Sequence, residues 1–225
     1  MTKPRKKLII WDFDGVIADT EIIWQKIRIK KFNEHFGINW TLKEANHYIG
    51  GMSDLTKNEI LEKMGYNISP EFWEEIHRAD DEVMAKGFER TSGIDDIFEN
   101  KKIRQCIATG GNLKHTLDKC KITGVDKWFK PDQVFTVDMV VRGKPEPDLF
   151  LVAAQKMGCL PEECLVIEDS IAGLTAAQKA GMTPIAFIGS VMNNNPEYVT
   201  KLKALGIIYI FNDMREIKKL IEEFL

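Results

Sequence analysis

Long apolar runs are missing from this 225-residue chain, whose uninterrupted hydrophobic stretches are only a few residues long, whereas a helix spanning a bilayer needs about 20. No signal-peptide core precedes Leu8, so a cytoplasmic protein without a membrane partner is expected. An excess of one charge is missing too. The formal net charge is -3, and nucleic-acid binding, which draws on a strongly basic face, is not expected. Lys3, Arg5, Lys6 and Lys7 do cluster at the start, and read as a short solvated tail ahead of the first strand. Cysteine and histidine are sparse. Cys106, Cys120, Cys159 and Cys164 show no Cys-x-x-Cys spacing and no adjacent histidine, which disfavours zinc and leaves buried or free thiols. His35, His47, His77 and His115 are scattered over charged, helix-like segments, as surface or packing residues.

The rest is ordinary globular composition, 44% hydrophobic and 29% charged. The length exceeds the roughly 100 to 200 residues of one typical domain, so one large α/β domain or a core with an insert is expected. Short apolar runs at 8–11, 103–108, 165–167 and 184–188 read as buried strands, with 207–211 a further candidate. Between them 113–121, 147–157, 171–180 and 214–224 carry apolar residues at three- and four-residue spacing, several closed by glycine. Strands alternating with helices predict an α/β fold with a doubly wound, mostly parallel sheet. The stretch 20–88 breaks the alternation and reads as successive amphipathic helices punctuated by Gly37, Gly50, Gly51, Gly65 and Pro70. It is predicted to be an inserted helical domain in a core of 1–19 and 89–225, with hinges near 18–20 and 86–93.

In an open parallel sheet the ligand sits beyond the carboxyl ends of the strands. The residues just after the apolar runs are Asp12 and Asp14, then Thr109, Gly110, Gly111 and Asn112, then Glu168 and Asp169. Carboxylates converging on one edge repel one another unless a cation sits among them. With oxygen donors and no histidine or cysteine at these positions, Mg²⁺ is the expected ion. Two acids near one reacting centre can divide the work, one attacking phosphorus and the other moving protons. An Asp-x-Asp-Gly is equally well a turn with helix-capping aspartates. Thr109 and Gly110 offer a hydroxyl and a backbone N–H for a phosphate cradle, although Asn112 as a helix cap accounts for much of that segment. Lys144, held out of the helical region by Pro145, can neutralise phosphate and carboxylates, or be an ordinary solvated loop lysine.

In this order and at these spacings, the elements resemble the four motifs of the haloacid dehalogenase superfamily: Asp12-Phe13-Asp14-Gly15-Val16 the first, Thr109 the second, Lys144 the third, Glu168-Asp169 the fourth. The segment 20–88 resembles the helical cap of the subfamily containing β-phosphoglucomutase, phosphoglycolate phosphatase and sugar-phosphate phosphatases. The resemblance implies that Asp12 is the nucleophile and a metal ligand, and that Asp14 binds metal through its carbonyl while its side chain serves as acid and base. It implies that Thr109 and Lys144 bind the transferring phosphoryl group, that Lys144 also orients Asp12, and that Asp169 and Glu168 hold Mg²⁺. Thr20 falls at the cap hinge or caps the first cap helix, and Trp24, Met52, Ser53 and Lys57 are candidates to face substrate.

Dehalogenases of the superfamily do not use the acids that Asp14 and Asp169 match, which disfavours that activity. β-Phosphoglucomutase carries a histidine where this chain has Trp24, and an arginine after the cap's Gly-x-Ser where this chain, at Gly51-Met52-Ser53, has Asp54. A magnesium-dependent phosphatase is therefore expected over a mutase, and over a non-catalytic binding protein that has kept the fold. Its expected partner is a small phosphate ester of the sugar-phosphate, sugar-acid-phosphate or phosphoglycolate class, bound by a monomer.

Overall fold

The computed structural model describes residues 5–49, 54–190 and 193–224. It opens with β1 (Leu8–Trp11), whose four residues are all buried, the continuous apolar pattern of a strand covered on both faces. Among the described residues four helices follow: α1 (Thr20–Phe36), α2 (Leu42–Ile49), α3 (Asp54–Lys63) and α4 (Pro70–Lys86). The start of α4 is written locally: Ser69 accepts a hydrogen bond from the Phe72 N–H, and Pro70 fills the first turn where no amide is needed.

Then come α5 (Asp95–Phe98), β2 (Arg104–Thr109), α6 (Leu113–Thr123), β3 (Val134–Thr136), α7 (Asp148–Lys156), β4 (Cys164–Glu168), α8 (Ile171–Lys179), β5 (Thr183–Phe187), α9 (Pro196–Ala204), β6 (Tyr209–Phe211) and α10 (Met214–Phe224). The six strands form one sheet in the order β3-β2-β1-β4-β5-β6, every neighbouring pair parallel. The doubly wound α/β fold is thus established, and β1 lies at its switch point, with Trp11 in register with Ile107 of β2 and Ile167 of β4.

The chain divides into two compact units, Met1–Asp19 with Glu89–Leu225, and Thr20–Phe88. In the first, Leu8 and Ile10, Cys106 and Ala108, and Cys164 and Val166 project to one face of the sheet. There they pack with Leu149, Phe150 and Ala153 of α7 and with Ala176 and Ala177 of α8. Each fully buried leucine or phenylalanine stabilises by roughly 1.5–3 kcal/mol. On β1, Trp11 packs edge-on to Phe98 with ring centroids 5.1 Å apart, and its indole N–H donates to Gln105, 3.0 Å away, so this buried polar pair is satisfied. The second unit has its own core, Phe32, Ile38, Ile49, Leu61, Ile68, Phe72, Trp73 and Ile76.

The expected basic tail is corrected at Lys6, which is buried. Its ammonium donates to the Glu162 carbonyl at 2.7 Å and the Thr183 hydroxyl at 2.7 Å, tying the strand entry to β4 and β5. The four cysteines are free and buried. No helix among the described residues is long and apolar enough to cross a membrane.

Candidate active site

Each acid of the expected site stands where a central strand ends. Asp12 follows β1 directly and its N–H donates to the Ile167 carbonyl at 2.9 Å, so the backbone is still held by β4. The chain then turns, with Gly15 at φ 82. A Cβ at Gly15 would lie 2.1 Å from Asp169 Oδ2. Glycine therefore serves twice here, adopting a left-handed backbone and admitting the Asp169 carboxylate.

Thr109 ends β2, and Gly110 and Gly111 separate it from Asn112, whose side chain accepts from the His115 N–H and caps α6. The Gly111 N–H points to the Thr109 hydroxyl at 3.4 Å. Glu168 ends β4. Its Oε1 accepts from the Ser170 N–H at 3.0 Å and the Ser170 hydroxyl at 2.8 Å, while that hydroxyl caps α8 by accepting from Gly173. A Cβ at Gly173 would fall 2.0 Å from Glu168 Oε2, so this helix position must be bare for Glu168 to lie where it does.

Lys144 joins these strand ends. Its Nζ donates to Asp12 Oδ1 at 2.5 Å, Glu168 Oε2 at 2.7 Å and the Ala108 carbonyl at 3.2 Å, three acceptors for an ammonium's three donors. It lies 4.9 Å from the centre of the Phe150 ring. Burial works to lower its pKa, but Asp12 and Glu168 raise it above the ordinary lysine value, so it stays charged. Burial raises Asp12 to about 7, with the charges of Glu168 and Asp14 adding and that of Lys144 opposing. Burial raises Asp169 well above the carboxylate range, helped by Glu168 and Asp12.

Asp12, Glu168 and Asp169 each place an oxygen within 4.8 Å of the others. The Asp14 carboxylate is held elsewhere, by Lys119, whose Nζ lies 2.7 Å from Oδ1 and 2.6 Å from Oδ2. Formally four carboxylates face two ammonium groups, a deficit of two positive charges. An all-oxygen donor set with that deficit fits one hard divalent cation.

Four participants were not expected from sequence. Lys119 is a charged residue on the buried stripe of α6 formed with Thr116, Cys120 and Thr123, a three- and four-residue spacing readable in the chain. Asn193 donates to Asp169 Oδ2 at 2.9 Å, and the Tyr198 hydroxyl donates to the Asp169 carbonyl at 2.5 Å. Neither bears a sequence signal, since both are brought in by the loop after β5 and the start of α9. Ser170 reads as a helix cap, but its bond to Glu168 is visible only in three dimensions.

Thr20 is the first residue of α1 and is buried. Trp24 is half-buried, its ring 6.5 Å from that of Phe88. Lys57 is buried, its ammonium 5.2 Å from the centre of the Trp73 ring. Met52 and Ser53 lie outside the described residues, as does the side chain of Asp54.

The sequence profile of the haloacid dehalogenase-like hydrolases matches residues 9–187. The chain belongs to that family. It is an enzyme, a hydrolase, and several of its relatives carry phosphatase names. It is 27% identical over 191 residues to a phosphorylated carbohydrates phosphatase of Thermotoga maritima, covering 83% of this chain and 87% of that one. It is also 27% identical over 180 residues to a fructose-1-phosphate phosphatase of Escherichia coli, covering 79% and 94%. Among solved structures, a hydrolase of the same family from Deinococcus radiodurans, with bound phosphate and sodium, superposes with a TM-score of 0.86 over 99% of this chain and 97% of that one. At 23% identity that likeness bears on the fold.

Proposed function

We propose that this hydrolase is a magnesium-dependent phosphatase of small phosphorylated metabolites, working through an aspartyl-phosphate on Asp12. The observation that carries this is Asp12 itself: a carboxylate at the switch point of the sheet, oriented by the Lys144 ammonium at 2.5 Å. Asp12 Oδ attacks phosphorus as the ester P–O bond breaks, and the leaving oxygen takes a proton from Asp14. Water then attacks the same phosphorus and gives a proton to Asp14, and the bond to Asp12 breaks, releasing phosphate and the free carboxylate. Thr109 and the amide of Gly110, at the mouth of α6, hold the phosphoryl oxygens. Lys144 keeps Asp12 aligned and supplies positive charge at the reacting oxygens.

Asp12, Asp169 and Glu168 would hold Mg²⁺, with the Asp14 carbonyl as the further ligand that the family resemblance implies. Bound there, the ion would neutralise the carboxylates and the oxygens of the incoming phosphate. The relatives' names favour phosphorylated carbohydrates as the substrate class. Thr20, Trp24, Ser53 and Lys57 are retained as candidates for the hinge and for reading the leaving group.

A panel of phosphorylated sugars, sugar acids, glycolate and nucleotides assayed with and without Mg²⁺ tests the proposal. Asp12→Asn should lower turnover by more than tenfold, a loss above ~1.4 kcal/mol, on every substrate. Turnover that survives chelation, or an Asp12→Asn enzyme retaining over about a tenth of the rate, contradicts it. Glucose 6-phosphate formed from β-glucose 1-phosphate faster than inorganic phosphate would establish the mutase instead.

A further inference from the structure

We propose that Lys119 is a positioning residue for Asp14, fixing its carboxylate beside the phosphate cradle and out of the metal-ligating group. This deepens the phosphatase reading above and rests on it. Lys119 comes from the middle of α6 and is only 7% exposed. A buried ammonium is unfavourable unless paired, and here it lies 2.6–2.7 Å from both oxygens of one carboxylate. The face of the Phe13 ring, its centre 4.7 Å from Nζ, adds a second favourable contact.

The asymmetry of burial gives the direction of the effect. The side chain of Lys119 is 9% exposed and that of Asp14 34%, so the lysine is the fixed member and the aspartate the one whose rotamer is chosen. The place chosen is defined by the cradle. A Cβ at Gly111 would lie 3.1 Å from the Thr116 hydroxyl and 3.9 Å from both Lys119 Nζ and the Thr109 hydroxyl. The ammonium and the threonine expected to grip phosphate therefore flank the same bare glycine.

Asp14 follows Asp12 by two residues, and an unrestrained carboxylate there has a nearby alternative, the oxygen cluster of Asp12, Glu168 and Asp169. Among the described residues that cluster excludes Asp14. Lys119 sorts the acids, leaving three oxygens to a cation and holding the fourth carboxylate for proton transfer to the leaving oxygen and from water.

A residue acting only through Asp14 has no effect once Asp14 is gone, so a double-mutant cycle decides the question. In otherwise native enzyme, Lys119→Met should lower steady-state turnover of a sugar phosphate at least tenfold, and Lys119→Arg, which keeps the charge, should recover much of it. In an Asp14→Ala background, Lys119→Met should change the residual rate by less than about twofold. With p-nitrophenyl phosphate, whose leaving group needs no proton, Lys119→Met should still release a first-turnover burst of nitrophenol at close to the native rate before slow hydrolysis sets in. Lys119→Gln gives the same cycle should the methionine variant fail to fold, as judged by thermal melting. Multiplicative losses in the two backgrounds, or a burst that falls together with the steady state, overturn the inference in favour of simple phosphate binding or structural support. Native enzyme without phosphatase activity sinks the underlying reading, whereas an active native enzyme with a multiplicative cycle sinks only this one.

Discussion

At the scale of single residues, the site concentrates like charge in a buried place. Burial lifts Asp12 from the ordinary 3.8 to about 7, and also lifts Asp169 well above its ordinary value. An acid with a raised pKa keeps its proton in the folded state at a pH where the unfolded chain has released it. Its contribution to stability therefore falls as pH rises through that window. Metal-free protein should lose stability between about pH 4 and pH 7 on account of Asp12, and Asp169, raised in the same direction, should add to that loss. Added Mg²⁺ should raise the melting temperature more at pH 8 than at pH 5, by roughly 2–4 °C for each kcal/mol of binding. Without metal at pH 8, Asp12→Asn should melt higher than native protein. Scanning calorimetry checks both, and a Mg²⁺ shift as large at pH 5 as at pH 8 would contradict the charge balance described for the site.

The acids are legible because the ligand edge of a parallel sheet is written directly after its apolar runs: Asp12 after 8–11, and Glu168 and Asp169 after 165–167. Lys144 stands in a loop and is marked by its proline neighbours and by the family resemblance. Lys119 carries no plain signal because a lysine within a charged helix ordinarily faces water, and only the buried stripe of α6 sets it apart. Lys6 departs from the solvated tail for the same reason: a charged side chain can be buried when its ammonium finds acceptors. Asn193 and Tyr198 reach Asp169 across a loop of the fold, a proximity that no local pattern encodes.

At the scale of elements, the helices that follow the strands place the acids as firmly as the strands do. α8 begins with Ser170 bonded to Glu168, and its Gly173 leaves just the space that the Glu168 side chain fills. Gly173→Ala would put a methyl group 2.0 Å from Glu168 Oε2. The nearest atoms to that methyl group all belong to the Glu168 side chain and none to backbone, so the fold should survive while Glu168 is displaced. The expected result is a fall in turnover of at least tenfold with weaker Mg²⁺ binding by calorimetry; native values of both would show that Glu168 is not a working part.

Elements were legible in proportion to their length and apolar content. The four inner strands β1, β2, β4 and β5 follow the apolar runs closely. β3 has only three residues, too few for a period to appear. α9 buries Leu202 alone of its residues, so its stripe is faint despite the Asn195 cap and Pro196 at its start. β6 is shorter than the run at 207–211 because the Ile207 N–H closes the turn after α9 by donating to the Leu202 carbonyl.

At the scale of the molecule, two units carry two cores. The helical unit is built on aromatic packing around Phe32, whose ring centroid lies 4.8 Å from that of Phe72 and 5.1 Å from that of Trp40. Phe32→Ala should remove about 3–5 kcal/mol from that unit. Hydrogen exchange should then show lost protection over 20–88 with the strands of the sheet still protected, and loss spread evenly over both units would contradict separate cores.

The aspartyl-phosphate proposed on Asp12 can be trapped directly. Enzyme turning over a phosphorylated sugar with Mg²⁺ is quenched in acid, reduced with borohydride and digested, so that an aspartyl-phosphate is read as homoserine by tandem mass spectrometry. Homoserine is expected at residue 12, and none in Asp12→Asn. Label at another carboxylate, or none during rapid turnover, would contradict it.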